Sequence, residues 1–194
     1  MIIPLFPVLL HEFAIPDFKD IEKNLIKTSY HQRKKDPKGR VVSNRGGWQS
    51  SFIQEENNII RSTLLRGIRD YGESNQIFEC DLILSSLWIN INGKGDYYEL
   101  HHHASCDLSG VFWIKTPVDC GSIVFNSPQD FVQAKELRSY ASHVKDEWKQ
   151  FDSYYFPSTA GRVMIFPSFL LHQVRPNQSN EDRISVSFNI ALNK

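Results

Sequence analysis

The sequence predicts a mainly β fold with flanking helices, a jelly roll of the double-stranded β-helix, cupin-like kind. Two observations carry that expectation. From Phe78 onward, short β-rich runs follow one another with turns and little helix between them, the pattern of an antiparallel sandwich or barrel and not of βα units. Several of those runs alternate apolar and polar residues, so each has one face suited to a core. The 194 residues suffice for one full-sized core. No repeat, low-complexity tract or Pro/Gly-rich linker divides the chain. Residues 1–194 are therefore expected to form one jelly-roll domain with helical support over about residues 15–75.

The elements follow in order. A first strand is expected over Leu5–Phe13, a helix over Phe18–Thr28 and a polar loop over His31–Ser43. Asn44-Arg45-Gly46-Gly47-Trp48 is turn chemistry around a lone aromatic. A second helix over Glu55–Tyr71 puts Ile59, Ile60, Leu64, Leu65 and Ile68 on one stripe at helical spacing. Two such helices would brace a sheet. In Leu82–Asn92, Ile83, Leu87, Ile89 and Ile91 share one face, and Ser86, Trp88, Asn90 and Asn92 the other. Gly93-Lys94-Gly95-Asp96 then turns the chain. Further strands are expected at Tyr97–His103, Gly110–Lys115, Ser122–Phe125, Tyr154–Pro157, Arg162–Phe166, Leu171–Arg175 and Arg183–Leu192. Gln129–Gln150 reads as a charged, partly helical insertion.

Composition narrows the partners. Lys+Arg and Asp+Glu both number 22, which gives no electrostatic case for nucleic acid or an anionic membrane, a local run such as Arg33-Lys34-Lys35 aside. Cys80, Cys106 and Cys120 are an odd, widely spaced set without a C-x-x-C pair, as expected of reduced thiols in a cytoplasmic protein. Met1–Leu10 is apolar but is interrupted by Pro4 and Pro7, and it lacks a basic n-region and a small-residue cleavage site. It reads as an early strand, neither signal peptide nor membrane span. A homodimer is expected only as the common case.

The residues that carry chemistry begin with His101-His102-His103. On an extended strand His101 and His103 point one way and His102 the other, so an H-x-H pair can present two imidazoles to one ion. Imidazole suits iron, zinc, copper and nickel alike, so the pair does not choose a metal. A surface histidine cluster is the plainer alternative. His172 follows the apolar run Val163-Met164-Ile165-Phe166-Pro167-Ser168; a lone histidine there is more often a core residue than a ligand. Arg183–Ile190 has period two, with Ile184, Val186, Phe188 and Ile190 on one face and Arg183, Ser185, Ser187 and Asn189 on the other. A half-exposed strand explains that pattern. Inside a small barrel the polar face would instead line a pocket, where an arginine fork and a serine hydroxyl suit a carboxylate.

At this point the sequence resembles the 2-oxoglutarate/iron(II) oxygenases. His172 followed by Arg183-x-Ser185 looks like the tail of their pattern, and the upstream H-x-H stands where they usually carry H-x-D or H-x-E. More narrowly it is similar to a family of such oxygenases found in marine bacteria and phages. The matching stretches are Gly46-Gly47-Trp48-Gln49-Ser50, Trp88-x-Asn90, His101-x-His103, Leu108-Ser109-Gly110-Val111, Phe166-Pro167-Ser168, His172-x-Val174 and Arg183-Ile184-Ser185-x-Ser187-Phe188-Asn189. The resemblance implies iron(II) on His101, His103 and His172, and 2-oxoglutarate held by Arg183 with Ser185. Asn90 and Asn189 are further pocket donors under the same resemblance. It implies an enzyme that couples decarboxylation of 2-oxoglutarate with O2 to oxidation of a C–H bond in a small-molecule or protein substrate, with the cofactor carrying the hard chemistry.

His103 departs from the pattern, since a neutral ring stands where a carboxylate is usual. Glu99 and Asp107 are the nearby acids that would restore one. Trp48, Tyr97, Tyr98 and Trp113 are candidates for a substrate mouth, though aromatics are more often core. Cys106 lies near the histidines as weak evidence for ligation; His11, His31 and His143 read as surface residues. Two alternatives compete: a three-histidine cupin-type dioxygenase without 2-oxoglutarate, which leaves Arg183 unexplained, and a non-catalytic jelly-roll module, metal-free or zinc-bound.

Overall fold

The computed structural model describes residues 2–3, 6–75, 78–129 and 138–193. Its elements begin with β1 (His11–Ala14), α1 (Phe18–Lys35), β2 (Asn44–Arg45), β3 (Trp48–Gln49) and α2 (Ile59–Asn75). They continue with β4 (Asp81–Asn92), β5 (Tyr97–His101), β6 (Leu108–Lys115), β7 (Ser122–Asn126) and α3 (Ser142–Trp148). The chain closes with β8 (Ser153–Pro157), β9 (Arg162–Pro167), β10 (His172–Val174) and β11 (Arg183–Asn193). The strands pair antiparallel in two sheets, ordered β1-β9-β6-β11-β4-β3 and β2-β5-β10-β7-β8. This is the double-stranded β-helix that the alternating runs predict.

Local chemistry accounts for where the elements differ from expectation. The first strand covers only His11–Ala14, and the expected start at Leu5 lies outside the described residues. Helix α1 runs past Thr28 to Lys35, so His31–Lys35 is helix and not loop. Arg33, Lys34 and Lys35 fill its last turn, where cations suit the helix dipole. Asp36 precedes Pro37 and so cannot hold the α conformation, which ends the helix. Helix α2 starts at Ile59, later than expected, because Asn58 caps it: its Oδ1 accepts the N–H of Ile60 at 2.9 Å. Gly46 and Gly47 both have positive φ, 69° and 67°. They carry the chain from β2 in one sheet to β3 in the other, so the expected turn is flanked by two short strands. Within the expected insertion, residues 130–137 lie outside the description and Ser142–Trp148 is helical.

Strand β4 corrects one facing. Its pairing with β11 shifts between Asn189 and Ile190, leaving Ser85 as a bulge. The extra residue reverses parity, so Leu84 is buried and Ile83 is exposed. Beyond the bulge the alternation holds. Leu87, Ile89 and Ile91 of β4 join Ile184, Val186, Phe188 and Ile190 of β11 in a core that also takes Leu25 of α1 and Ile60, Leu64 and Ile68 of α2. Leu65, placed on the same stripe by spacing, stays 38% exposed. Each fully buried side chain of this size contributes on the order of 1.5–3 kcal/mol. A second cluster, with Val111, Trp113, Ile123, Phe125, Met164 and Phe166, draws on β6, β9 and β7 and so on both sheets. The helices thus cover one face of the six-stranded sheet, and the polar faces of β4 and β11 turn toward the other sheet. Among the described residues no helix is long and apolar enough to cross a membrane.

Candidate functional site

Three histidines converge because two strands and a turn bring them together. His101 ends β5 and pairs across the sheet with His172, which begins β10. His103 lies two residues beyond the end of β5, not on the strand as expected, but its backbone N–H donates to the Ser168 carbonyl at 2.9 Å. That bond keeps the extended run going far enough for His103 to face the same way as His101, with ring centroids 5.3 Å apart. His172 lies 4.3 Å from His101 and 5.3 Å from His103 by the same measure. One ring nitrogen from each lies within 4.8 Å of the others, the one such cluster among the described residues. His102 is exposed and takes no part in it.

The hydrogen bonds decide which nitrogens are free. His101 Nδ1 faces the Glu99 carbonyl at 2.7 Å, and His172 Nδ1 faces the Leu170 carbonyl at 2.8 Å. His103 Nδ1 faces Asn189 Oδ1 at 2.7 Å. A carbonyl oxygen only accepts, so each Nδ1 carries the proton and each Nε2 keeps a lone pair. Burial is the main cause that lowers the proton affinity of all three rings. His172, with His101 beside it as the next cause, is pushed down to about 3. All three are therefore neutral at neutral pH, the form that binds metal.

The alternative ligands are engaged elsewhere. The Glu99 carboxylate pairs with Arg45, whose Nε donates at 2.9 Å. Asp107 Oδ2 accepts the N–H of Leu192 at 2.9 Å. Cys106 Sγ lies 3.0 Å from Ser168 Oγ and outside the cluster.

The histidines open into a cavity of about 480 Å³ between the sheets. The polar face of β11 lines it with Arg183, Ser185, Ser187 and Asn189, so that face is a pocket wall and not a solvated surface. Arg183 is only 1% exposed. Its Nη1 donates to the carbonyls of Cys120 and Arg175, at 2.5 and 3.2 Å, and its Nη2 to Asn92 Oδ1 at 3.2 Å. No carboxylate of the described residues pairs with it. The Nδ2 of Asn92 beside it is buried without a partner. A buried cation held only by neutral oxygens is costly unless an opposite charge compensates it. Gly121 lets the turn come close to the guanidinium: its φ is +86°, and a Cβ there would lie 2.9 Å from Arg183 Nη1.

Asn90 and Asn189 spend both ends of their amides inside the protein. Asn90 Nδ2 donates to Ser187 Oγ and its Oδ1 accepts from the Tyr98 hydroxyl, both at 2.9 Å. Asn189 Nδ2 donates to Ser86 Oγ at 2.9 Å. Of the aromatic candidates, Tyr98 and Trp113 line the cavity. Trp48 belongs to the helix-side core, and Tyr97 lies outside the cavity. Sequence reading placed Trp88 in a matching stretch but gave it no role in the site, where its ring is 6.0 Å from that of His103, and it missed Phe52, 5.8 Å from Trp88. The polar-face parity of β4 marked Trp88; nothing in the sequence marked Phe52. His31 and His143 are exposed, whereas His11 is half-buried against Tyr71 and Phe78.

Comparison with known proteins bears on the same residues. A family model described as "Putative 2OG-Fe(II) oxygenase" matches residues 86–189, more than half of the chain. No curated protein matches. Among solved structures, a Pseudomonas putida prolyl-4-hydroxylase aligns with a TM-score of 0.63 at 14% identity, covering 95% of this chain and 92% of that one. A viral collagen prolyl hydroxylase from Paramecium Bursaria Chlorella virus-1 gives 0.59 at 15% identity, with coverage of 94% and 96%. The carbocyclase SnoK of nogalamycin biosynthesis, described as non-heme and alpha ketoglutarate dependent, gives 0.65 at 14%, with coverage of 96% and 80%. Identities this low speak to the fold alone.

Proposed function

The chain belongs to this family of 2OG-Fe(II) oxygenases, and from that premise we propose that His101, His103 and His172 hold the iron while Arg183 and Ser185 seat the distal carboxylate of 2-oxoglutarate. The enzyme uses 2-oxoglutarate and O2 as co-substrates and oxidises a third molecule. One observation carries the assignment of residues: three neutral imidazoles with free Nε2 atoms share a cavity with a buried arginine that no carboxylate of the described residues pairs with.

When bound, iron(II) and 2-oxoglutarate would activate O2, the oxidant for breaking a C–H bond, with 2-oxoglutarate oxidised to succinate and carbon dioxide. The chain's own residues do the rest. The Nδ1 bonds of the three histidines fix their tautomers and aim their Nε2 lone pairs at one point. Arg183, held by the carbonyls of Cys120 and Arg175, presents its fork without reorganising, and Ser185 on the same strand face adds a hydroxyl. Asn90 holds the Tyr98 hydroxyl, which keeps that ring against the cavity wall. Trp88, Trp113 and Phe166 keep the wall dry. At the rim, Phe52 carries the Arg40 guanidinium 4.9 Å above its ring, and we read this side as the approach for the substrate.

A three-histidine dioxygenase that dispenses with 2-oxoglutarate gives Arg183 no task. The test is anaerobic titration with iron(II) and then 2-oxoglutarate, following the visible charge-transfer band. The band should require both components and vanish in His172→Ala; in Arg183→Ala it should need roughly tenfold or more additional 2-oxoglutarate. Iron binding that gives no charge-transfer band with 2-oxoglutarate, or a band whose 2-oxoglutarate requirement is the same in Arg183→Ala as in the parent, would refute the assignment.

A further inference from the structure

His101 and His172 are locked by backbone: each donates Nδ1–H to the carbonyl two residues earlier, Glu99 and Leu170. His103 has no such lock. Its Nδ1 meets only side chains, Asn189 Oδ1 at 2.7 Å and Ser109 Oγ at 3.0 Å. Those side chains belong to a longer network. Ser109 Oγ donates to Asn189 Oδ1 at 3.0 Å and lies 2.8 Å from Ser168 Oγ. Asn189 Nδ2 is tied to Ser86 Oγ at 2.9 Å. Ser109 and Ser168 are 0% and 1% exposed, so their hydroxyls find their partners inside the protein, Ser168 Oγ also lying 3.0 Å from Cys106 Sγ.

The three stretches Leu108-Ser109-Gly110, Phe166-Pro167-Ser168 and Phe188-Asn189 are far apart in the chain and lie on β6, at the end of β9 and on β11. They meet behind the one ligand that is neutral where a carboxylate is usual. A ligating carboxylate has two equivalent oxygens and needs no tautomer. An imidazole does: if Asn189 turned its Nδ2 toward the ring, the proton would sit on Nε2 and the metal-facing lone pair would be lost. Tying Nδ2 to Ser86 and bringing a second donor, Ser109, to Oδ1 both disfavour that flip.

Resting on the reading of His103 as a ligand, we propose that Asn189, held by Ser86 and Ser109, is the positioning residue that makes His103 an Nε2 donor to iron. Asn189 is then no contact of 2-oxoglutarate. Its neutral amide sets orientation without adding charge, and an aspartate in its place would keep the geometry while making the ring a stronger donor.

The test uses the full chain and iron(II) added anaerobically, with Asn189→Ala, Asn189→Asp and His172→Ala beside the parent. Loss of the acceptor should weaken iron(II) binding roughly 10–100-fold. Asn189→Asp should restore binding. With 2-oxoglutarate present it should also move the charge-transfer band to longer wavelength, since a more electron-rich iron gives up its electron more easily. A purely structural role for Asn189 would not move that band. Binding in Asn189→Ala as tight as the parent's, or an unshifted band in Asn189→Asp, would overturn the proposal. His172→Ala separates the two readings: if it loses iron while Asn189→Ala does not, the metal site stands and only this inference falls.

Discussion

At the scale of single residues, the site is a set of neutral imidazoles in a place where charge is costly. His172 shows the consequence most directly. Its folded proton affinity is depressed to about 3 by burial and by His101, against an ordinary 6.5. Between those values the unfolded chain binds more protons than the folded one, so stability falls as pH is lowered through that window. At pH 5 the effect of this one ring is roughly 2 kcal/mol. His101 and His103 are shifted the same way and add to it. The metal-free protein should therefore unfold at a clearly lower urea concentration at pH 5 than at pH 7.5. His172→Asn should flatten that dependence, whatever it does to the midpoint at pH 7.5. A midpoint that does not move between the two pH values would mean that the rings are not buried together in solution.

At the scale of elements, much of the site was legible because strand parity is a strict rule. Period two in Arg183–Ile190 divided the residues facing the helices from those facing the cavity, and the division holds in β11. It failed in β4 only at the bulge, where Ser85 moves Ile83 out and Leu84 in; an inserted residue leaves no mark on composition. Parity put His103 on the same side as His101, but it lies past the strand, and what holds it there is the Ser168 carbonyl, a partner distant in the chain. The seat of Arg183 was hidden for the same reason. It is built by the turn at Cys120-Gly121 and by Arg175, none of which carries a sequence signal for an anion. Gly121 tests how much that turn matters. An added Cβ would meet the Arg175 carbonyl at 2.3 Å and Arg183 Nη1 at 2.9 Å, on a backbone with φ of +86°. Gly95 has φ of +87° and nothing within 4 Å of the same position. Both alanine variants should lose about 1–2 kcal/mol to left-handed strain. Only Gly121→Ala should also raise the KM for 2-oxoglutarate. Equal KM values in the two variants would show that the turn supports the fold and not the arginine.

At the scale of the whole molecule, the six-stranded sheet separates two jobs. One face packs on α1 and α2 through Leu25, Ile60, Leu64 and Ile68; the other carries the cavity. The composition gave only the sum, an ordinary apolar share and no net charge. The partition emerges from burying one face of each central strand under helices, which leaves the other face free to be polar. If the partition is real, stability and ligand binding are separable by mutation. Leu64 is 0% exposed in the helix-side core, so Leu64→Ala should cost about 2–5 kcal/mol from lost transfer and the cavity left behind. It should leave the affinities for iron(II) and 2-oxoglutarate unchanged while the protein is folded. Ligands that bind only the native state stabilise it by mass action, about 2.7 kcal/mol at one hundred times the dissociation constant. That increment depends on the site and not on the core. Denaturant unfolding with and without iron(II) and 2-oxoglutarate should therefore give the same ligand-induced gain in Leu64→Ala as in the parent, from a lower baseline. In His172→Ala the gain should disappear whatever its baseline. A smaller gain in Leu64→Ala would mean that helix packing on one face of the sheet sets the geometry of histidines and arginine on the other.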